Sequence, residues 1–237
     1  MSEPSIGDRW RSVLGRVEAD CDRAKRERTS VRVVAVTKGV AVERIAEAYR
    51  AGARIFGENY VQELLPKMAA LPGLIEGGQA DWHFIGSLQS NKAKMIVGKV
   101  ALVHSVDRWS LAQALDKASN KSAGLSPKIL VEVNIASETT KGGIPPSELR
   151  SFVERLSHET TLETQGLMVF PPFSDDPERS RAYFAQTRKL AEEIEAMKLL
   201  RVKMRELSMG VTNDFEVAIE EGATLVRIGT AIFGPRS

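Results

Sequence analysis

The chain has 237 residues, of which 43% are hydrophobic and 27% are charged, so it is long enough to bury one large core. Its 33 Lys and Arg residues nearly balance its 31 Asp and Glu residues, and the net charge of +2 does not indicate a nucleic-acid partner. Cys21 is the only cysteine, which excludes an internal disulfide, a Cys–Cys redox pair and a thiolate zinc site. Neither an export signal nor a membrane-spanning apolar run is apparent, so no membrane partner is expected.

The N-terminal segment, roughly Ile6 to Arg28, predicts an amphipathic helix. Trp10, Val13, Leu14 and Val17 recur there at spacings of three and four residues. Acidic residues lie among its basic residues, which is typical of a solvated helix face rather than of a nucleic-acid patch. We expect this helix, within residues 1–28, to pack on the domain that follows.

Eight short apolar or β-branched runs come next and predict eight strands. The predicted strands are Val31–Val36, Arg54–Phe56, Trp82–Ile85, Leu102–Ser105, Ile129–Ile135, Thr164–Val169, Arg205–Ser208 and Leu225–Ile228. Segments with helical spacing separate most of them, and several begin with Ser, Asp or Pro. The predicted helices are Val42–Ala51, Asn59–Ala70, Leu111–Ser119, Pro146–Ser157, Pro177–Met197 and Asp214–Glu221.

Strands and helices therefore alternate along the chain. Eight such repeats that close on themselves form a (β/α)8 TIM barrel, an α/β fold, and we expect residues 1–237 to form a single domain of this kind. An open, doubly wound sheet is the alternative, but it usually has fewer strands and a Gly-rich fingerprint in its first turn. No Gly-x-Gly-x-x-Gly sequence follows Val36, which favours the barrel.

The first predicted strand ends in Thr37-Lys38-Gly39, and barrels of this kind carry their sites at the carboxyl ends of the strands. A lysine that projects into a barrel mouth is partly desolvated, which leaves more neutral amine to attack an aldehyde and form an imine. The alternative is that Lys38 simply extends into solvent after the strand.

Two turns near the C-terminus have the composition of phosphate-binding turns. Ser208, Gly210 and Thr212 lie where one predicted strand meets the next helix, and Gly229 and Thr230 follow the last strand. Backbone N–H groups and hydroxyls in such turns provide donors for an anion. Each turn by itself is a weak signal, but both lie where barrels frequently bind phosphate.

Three further side chains are candidates for the same barrel mouth. Arg227 alternates with its apolar neighbours, so it points toward the barrel interior or mouth, where it contacts a cofactor nitrogen; the alternative is that it pairs with an acid between helix and sheet. Asn59 and His83 also lie at strand ends, and His83 is equally consistent with a core histidine. His83, His104 and His158 have no metal-ligand spacing, so no metal site is expected.

Several of these residues belong to longer motifs that resemble the pyridoxal phosphate homeostasis protein family. The motifs occur in the order of that family and span nearly the whole chain. They are Ala35-Val36-Thr37-Lys38, Gly57-Glu58-Asn59-Tyr60-Val61-Gln62-Glu63, His83-Phe84-Ile85-Gly86-Ser87-Leu88-Gln89-Ser90-Asn91-Lys92, Leu207-Ser208-Met209-Gly210 and Val226-Arg227-Ile228-Gly229. The family usually has Ser-Met-Gly-Met-Ser in the phosphate turn, and this chain has Ser-Met-Gly-Val-Thr, in which Thr212 retains the hydroxyl.

The resemblance implies both a fold and a cofactor. The family looks like the barrel domain of alanine racemases, a fold-type III barrel, without their second, strand-rich domain. Its lysine at the position of Lys38 binds pyridoxal 5′-phosphate (PLP) covalently as an aldimine. The other cofactor-binding residues implied by the resemblance are Ser208, Gly210, Thr212, Gly229 and Thr230 around the phosphate, Arg227 at the pyridine nitrogen, and Asn59 and His83 near the ring.

Arginine has hydrogen-bond donors and no acceptor, so Arg227 would keep the pyridine nitrogen unprotonated and the ring a weaker electron sink. The predicted function is therefore a PLP carrier in vitamin B6 homeostasis, with little or no catalytic activity and no catalytic residues. The expected partners are PLP, other B6 vitamers and PLP-dependent apo-enzymes. We expect a cytoplasmic protein that is a monomer rather than a dimer.

Three other functions remain open from the sequence. A PLP-dependent amino-acid racemase would complete its site from a partner subunit, with His83 or Tyr60 as the opposing base. A Schiff-base aldolase would use Lys38 on a sugar phosphate, and an interaction module would not use Lys38 at all. Absorbance distinguishes these functions, because a bound aldimine absorbs near the visible edge whereas a purified aldolase is colourless.

Overall fold

Eight parallel strands close into a barrel in the computed structural model, which describes residues 3–76, 78–121, 126–138 and 141–235. Each strand pairs with the next one in the sequence, and β1 pairs with β8 to close the barrel. The strands are β1 (Arg32–Val36), β2 (Ile55–Glu58), β3 (Asp81–Phe84), β4 (Leu102–Val106), β5 (Lys128–Val133), β6 (Glu163–Val169), β7 (Val202–Val211) and β8 (Leu225–Ile228). The predicted (β/α)8 barrel is thus confirmed.

Helices alternate with these strands along the chain. They are α1 (Ile6–Arg23), α2 (Val42–Arg50), α3 (Val61–Ala70), α4 (Ala93–Ile96), α5 (Trp109–Lys121), α6 (Pro146–Glu159), α7 (Arg181–Ala196), α8 (Phe215–Glu220) and α9 (Thr230–Phe233). Helices α4 and α9 have four residues each, too few to show a helical period in the sequence. None of the helices in the described ranges is long and apolar enough to cross a membrane.

The N-terminal helix packs on the barrel through its apolar face. Trp10 and Val13 are buried, and α1 contacts α2, α8 and α9. The prediction placed the end of this helix at Arg28, but the helix ends at Arg23. The reason is local, because Lys25 has a φ of 54°, a left-handed conformation that an α-helix does not contain.

Apolar side chains form a core on each side of the strand wall, because successive residues of a strand point to opposite faces. The inward-facing core of the barrel consists of Val34, Leu102, Leu130, Met168 and Leu225. A larger core lies between the other face of the strands and the helices. Closer to the carboxyl ends of the strands, polar side chains replace the apolar ones inside the barrel, and this change marks the site.

Candidate functional site

A cavity of about 290 Å³ opens at the carboxyl ends of the strands. Its volume is near the lower end of the roughly 300–1,000 Å³ that small-molecule sites occupy. Six of the predicted cofactor-binding residues line it: Lys38, Asn59, Thr212, Arg227, Gly229 and Thr230. The remaining wall consists of Val36, Ile85, Phe170, Val211 and Asn213.

Strand register explains why residues so far apart in sequence meet here. Strands β1 and β2 pair with Val36 opposite Gly57, and Lys38 and Asn59 each follow two residues later. Arg227 is on β8, which pairs with the other edge of β1. Since parallel strands end on one face of the barrel, the three polar side chains converge there.

Lys38 occupies the turn that follows β1 and is half-buried. The turn closes with a hydrogen bond of 2.9 Å from the Val40 N–H to the Thr37 carbonyl. Gly39 has a φ of 69°, which a residue with a side chain adopts only at a cost. Lys38 therefore lines the cavity rather than extending freely into solvent, as the alternative interpretation required.

Arg227 is buried inside the barrel, with 2% of its surface exposed. Its Nη1 donates to the Ser208 hydroxyl at 2.6 Å and its Nη2 to the Val169 carbonyl at 2.8 Å, while the Phe170 ring lies 4.1 Å from the guanidinium. Burial lowers the pKa of Arg227 to about 10, so the group is still charged at neutral pH. Among the described residues no carboxylate forms an ion pair with it, which disfavours the alternative of an acid partner.

A series of hydrogen bonds, which we call the interior chain, continues from Arg227 across the barrel interior through Ser208, His104 and His83. The Ser208 hydroxyl lies 2.9 Å from Nδ1 of His104, and Nε2 of His104 lies 2.9 Å from Nδ1 of His83. Burial lowers the pKa of His83 to about 3 and that of His104 well below its usual value, so both rings are neutral at pH 7. The interior chain thus holds the Arg227 guanidinium without adding charge to the barrel.

Three predicted residues do not line the cavity. Ser208 and His83 are buried in the interior chain, and Ile85, two residues beyond His83, reaches the cavity wall instead. Gly210 borders a neighbouring cavity. The structure therefore places Ser208 beside Arg227 and His83 beside His104, and their roles toward a cofactor stay predictions.

The buried His83 makes acid stability a test of this arrangement. Its pKa is lowered from 6.5 to about 3, by burial first and then by the charge of Arg32. The unfolded chain takes up this proton near pH 6.5 and the folded chain only near pH 3. The group's contribution to stability is therefore complete above pH 6.5 and is lost as the pH falls toward 3, with a slope of about 1.4 kcal/mol per pH unit for one proton.

We expect His83→Asn, which keeps a polar atom near the position of Nδ1, to reduce the slope of the stability profile between pH 6.5 and 3 by about one proton, while His104 keeps its own contribution. Urea unfolding at several pH values in this window measures the slope, and His158→Asn is the matched control because His158 is exposed. An unchanged slope in His83→Asn would show that His83 does not resist protonation in the folded protein.

The neighbouring cavity is larger, about 510 Å³, and shares the wall formed by Phe170 and Arg227. Glu132 and Lys141 also line it, whereas Lys38 does not. Burial, and to a smaller extent the charge of Asp107, raises the pKa of Glu132 to about 7. Because Lys38 lines only the smaller cavity, we regard that one as the cofactor site.

Two residues that line the smaller cavity each have a buried polar atom with no hydrogen-bond partner within the described parts of the chain. They are Oδ1 of Asn59 and Nε of Arg227. Unpaired buried polar atoms are rare and costly in folded proteins, so these two indicate a polar ligand. Beside them lie an amine, Lys38, and the hydroxyls of Thr212 and Thr230, a set that fits an aromatic aldehyde bearing a phosphate.

Residues that the sequence did not single out also belong to this region. Phe170 covers the Arg227 guanidinium, and His104 joins Ser208 to His83. Glu58 and Lys67 lie behind Lys38 in a buried ion pair. The position of His104 two residues after the inward-facing Leu102 could have shown that His104 faces inward, but no local pattern identifies Lys67.

Comparison with known proteins agrees with this site. The family model of the alanine racemase N-terminal domain matches residues 14–237. The pyridoxal phosphate homeostasis protein of Aquifex aeolicus is 42% identical over 229 residues, which cover 97% of each chain. The structure of PipY from Synechococcus elongatus with PLP bound has a TM-score of 0.82 at 36% identity, and covers 97% of this chain and 100% of PipY.

An alanine racemase from Clostridium difficile shares the fold, with a TM-score of 0.73 at 14% identity, and this chain covers 57% of it. The match at 42% identity over 97% of each chain and the matched family model show the family as well as the fold. With its order of motifs and its lysine at the end of β1, the chain belongs to the pyridoxal phosphate homeostasis protein family.

Proposed function

We propose that this protein binds PLP covalently through the Lys38 amine and carries the cofactor in vitamin B6 homeostasis. The observation that carries the proposal is the convergence of Lys38, Arg227, Thr212 and Thr230 on one small cavity. The PLP-bound structure of PipY, which is 36% identical over nearly the whole chain, supports the same cofactor.

Each polar residue of the cavity has a role in this proposal. The Lys38 amine condenses with an aldehyde and releases one water. Thr212, Gly229 and Thr230 would provide hydroxyl and backbone donors for the phosphate, and Arg227 would provide the positive charge beside the ring. The bound cofactor supplies an aldehyde and an electron-withdrawing ring.

The same cavity supports a carrier better than a catalyst. Among the described residues of its wall, Lys38 and Arg227 are the only ionisable side chains. Proton abstraction from an amino acid needs a second acid or base opposite the lysine, and the guanidinium has no acceptor and stays protonated. We therefore infer that the protein stores PLP and passes it, and other B6 vitamers, to PLP-dependent apo-enzymes.

Borohydride trapping tests the proposal directly. The protein is loaded with PLP, reduced, digested and mapped by mass spectrometry, and the label is expected on the peptide that contains Lys38. In parallel, incubation with each amino acid is expected to give racemised or decarboxylated product at well under about 1 per second. A label on another residue would contradict the linkage, and faster turnover would contradict the carrier role.

The racemase alternative gains no support from the positions of its two candidate bases. His83 is 5% exposed, and its Nδ1 contacts His104 inside the barrel. Tyr60 is exposed but does not line the cavity with Lys38. A Schiff-base aldolase would need the same Lys38, and the absorbance of the loaded protein distinguishes it from a PLP carrier.

A further inference from the structure

A partly buried cluster of three charged residues, Glu58, Glu63 and Lys67, contacts the turn that carries Lys38. The Lys67 ammonium lies 2.7 Å from Oε2 of Glu58 and 2.6 Å from Oε2 of Glu63. The side chain of Glu58 is fully buried, and that of Lys67 is 11% exposed. A buried ion pair often adds little to stability compared with apolar residues, so the cluster needs an explanation other than stability.

The cluster binds the backbone on both sides of Lys38. Lys67 Nζ donates to the Thr37 carbonyl at 2.8 Å, just before Lys38. The Gly39 N–H, just after it, donates to Oε2 of Glu63 at 2.8 Å. The Thr37 hydroxyl adds a bond of 2.9 Å to Glu58, so the residues next to Lys38 are held through their backbones and one side chain.

The Glu58 carboxylate also connects the residue before Lys38 to Asn59, which follows the neighbouring strand. Oε1 of Glu58 accepts from the Asn59 N–H at 2.7 Å, while its Oε2 accepts from Thr37 and Lys67. Burial by itself would raise the pKa of Glu63, but hydrogen bonds from Lys67 and Gly39 hold that pKa below its usual value. Glu63 thus remains a charged acceptor for the turn at neutral pH.

We propose that Lys67 is a positioning residue for Lys38: by binding Thr37, Glu58 and Glu63 together, it fixes the turn so that the Lys38 amine stays in the cofactor cavity. This inference rests on the proposed function, since it assigns a role toward PLP. A pre-set amine binds its aldehyde more tightly than a mobile one, because less conformational freedom is lost on binding.

A set of variants separates positioning from simple charge balance. Lys67→Met leaves Glu58 unpaired and can unfold the protein, so the decisive variant is the double change Lys67→Met with Glu58→Gln, which removes both charges. Lys67→Arg retains the donors, and Lys189→Met is the matched control because Lys189 is an exposed lysine in helix α7. Glu63→Ala removes the carboxylate that accepts from the Gly39 N–H, and the side chain that it changes is 35% exposed.

The first measurement uses the protein without PLP. Amide hydrogen exchange of the peptide that contains Thr37 and Gly39 is expected to be faster in the double variant and in Glu63→Ala, and near wild type in Lys67→Arg and Lys189→Met. The second measurement is PLP affinity, which we expect to fall about tenfold or more in the double variant, equivalent to about 1.4 kcal/mol. The circular dichroism band of the bound cofactor should weaken in parallel.

Two results would overturn the positioning role. One is a double variant with wild-type exchange and wild-type PLP affinity, which would show that Lys67 only balances charge. If the double variant does not fold, the same wild-type values in Glu63→Ala would reject the role. If instead the wild-type protein binds no PLP, the proposed function fails, whereas the exchange measurement still decides whether the cluster holds the turn.

Discussion

Replacing Lys38 by alanine is expected to reduce the borohydride-trapped PLP label to background and to abolish the visible-edge absorbance of the loaded protein. Among the described residues of the cavity wall, Lys38 is the only one with a primary amine, the group that an imine with an aldehyde requires. Stability should change little, within about 0.5 kcal/mol, because the side chain is half-buried at the barrel mouth rather than packed in a core. Mass spectrometry of the reduced protein and thermal unfolding measure the two effects.

Two other lysines, Lys141 and Lys92, provide the controls for this experiment. Lys141 lines the neighbouring cavity, and Lys92 lies in the short turn before α4. Alanine at either position should leave the absorbance and the trapped label unchanged. A full label that persists in Lys38→Ala would move the covalent site to another residue and remove the basis of the proposed function.

Gly86→Ala is expected to destabilise the protein by about 1–3 kcal/mol or more and to weaken PLP binding at the same time. A Cβ at this position would lie 2.3 Å from the backbone oxygen of Asn59 and 2.7 Å from its Cα. Neither atom can move without shifting the end of β2, because both belong to the main chain. Asn59 lines the cofactor cavity, so the displacement reaches the site.

Gly15→Ala is the matched control for that substitution. Gly15 is in the exposed part of α1 and has no other atom within 4 Å of the added Cβ. Alanine is the better helix former, so this variant should be more stable by about 0.5–1 kcal/mol and bind PLP as the wild type does. Urea unfolding measures both variants, and a Gly86→Ala protein of wild-type stability would show that the two strand ends are not in contact.

The sequence by itself predicted the barrel and the edge of it that carries the site. Its strands were recognisable because β-branched runs alternate with helical spacing, and β8 was predicted with the bounds that the structure shows. Lys38, Arg227 and Thr230 were candidates because residues that end parallel strands must meet on one face. The predicted bounds of other strands differ from those in the structure. Strand β7 was predicted to begin at Arg205 and begins three residues earlier, at Val202.

Residues that face inward on neighbouring strands could not be sorted by depth from the sequence. Ser208 and His83 share motifs with cavity residues, but the register of β3, β4 and β7 places both in the interior chain with His104. Alternation indicates the face of a strand on which a side chain lies, whereas its height in the barrel depends on the stagger of all eight strands.

Local pattern therefore determined the fold class and the order of strands and helices, and it made Lys38 a candidate for the barrel mouth. Only the tertiary structure decided that Arg227 is held by Ser208, and that Lys67 reaches from α3 to the turn around Lys38. The physical reason is that hydrophobic periodicity is a property of a segment, which the sequence contains in full. Pairing of buried polar groups instead depends on which segments become neighbours, and that is fixed only when the barrel closes.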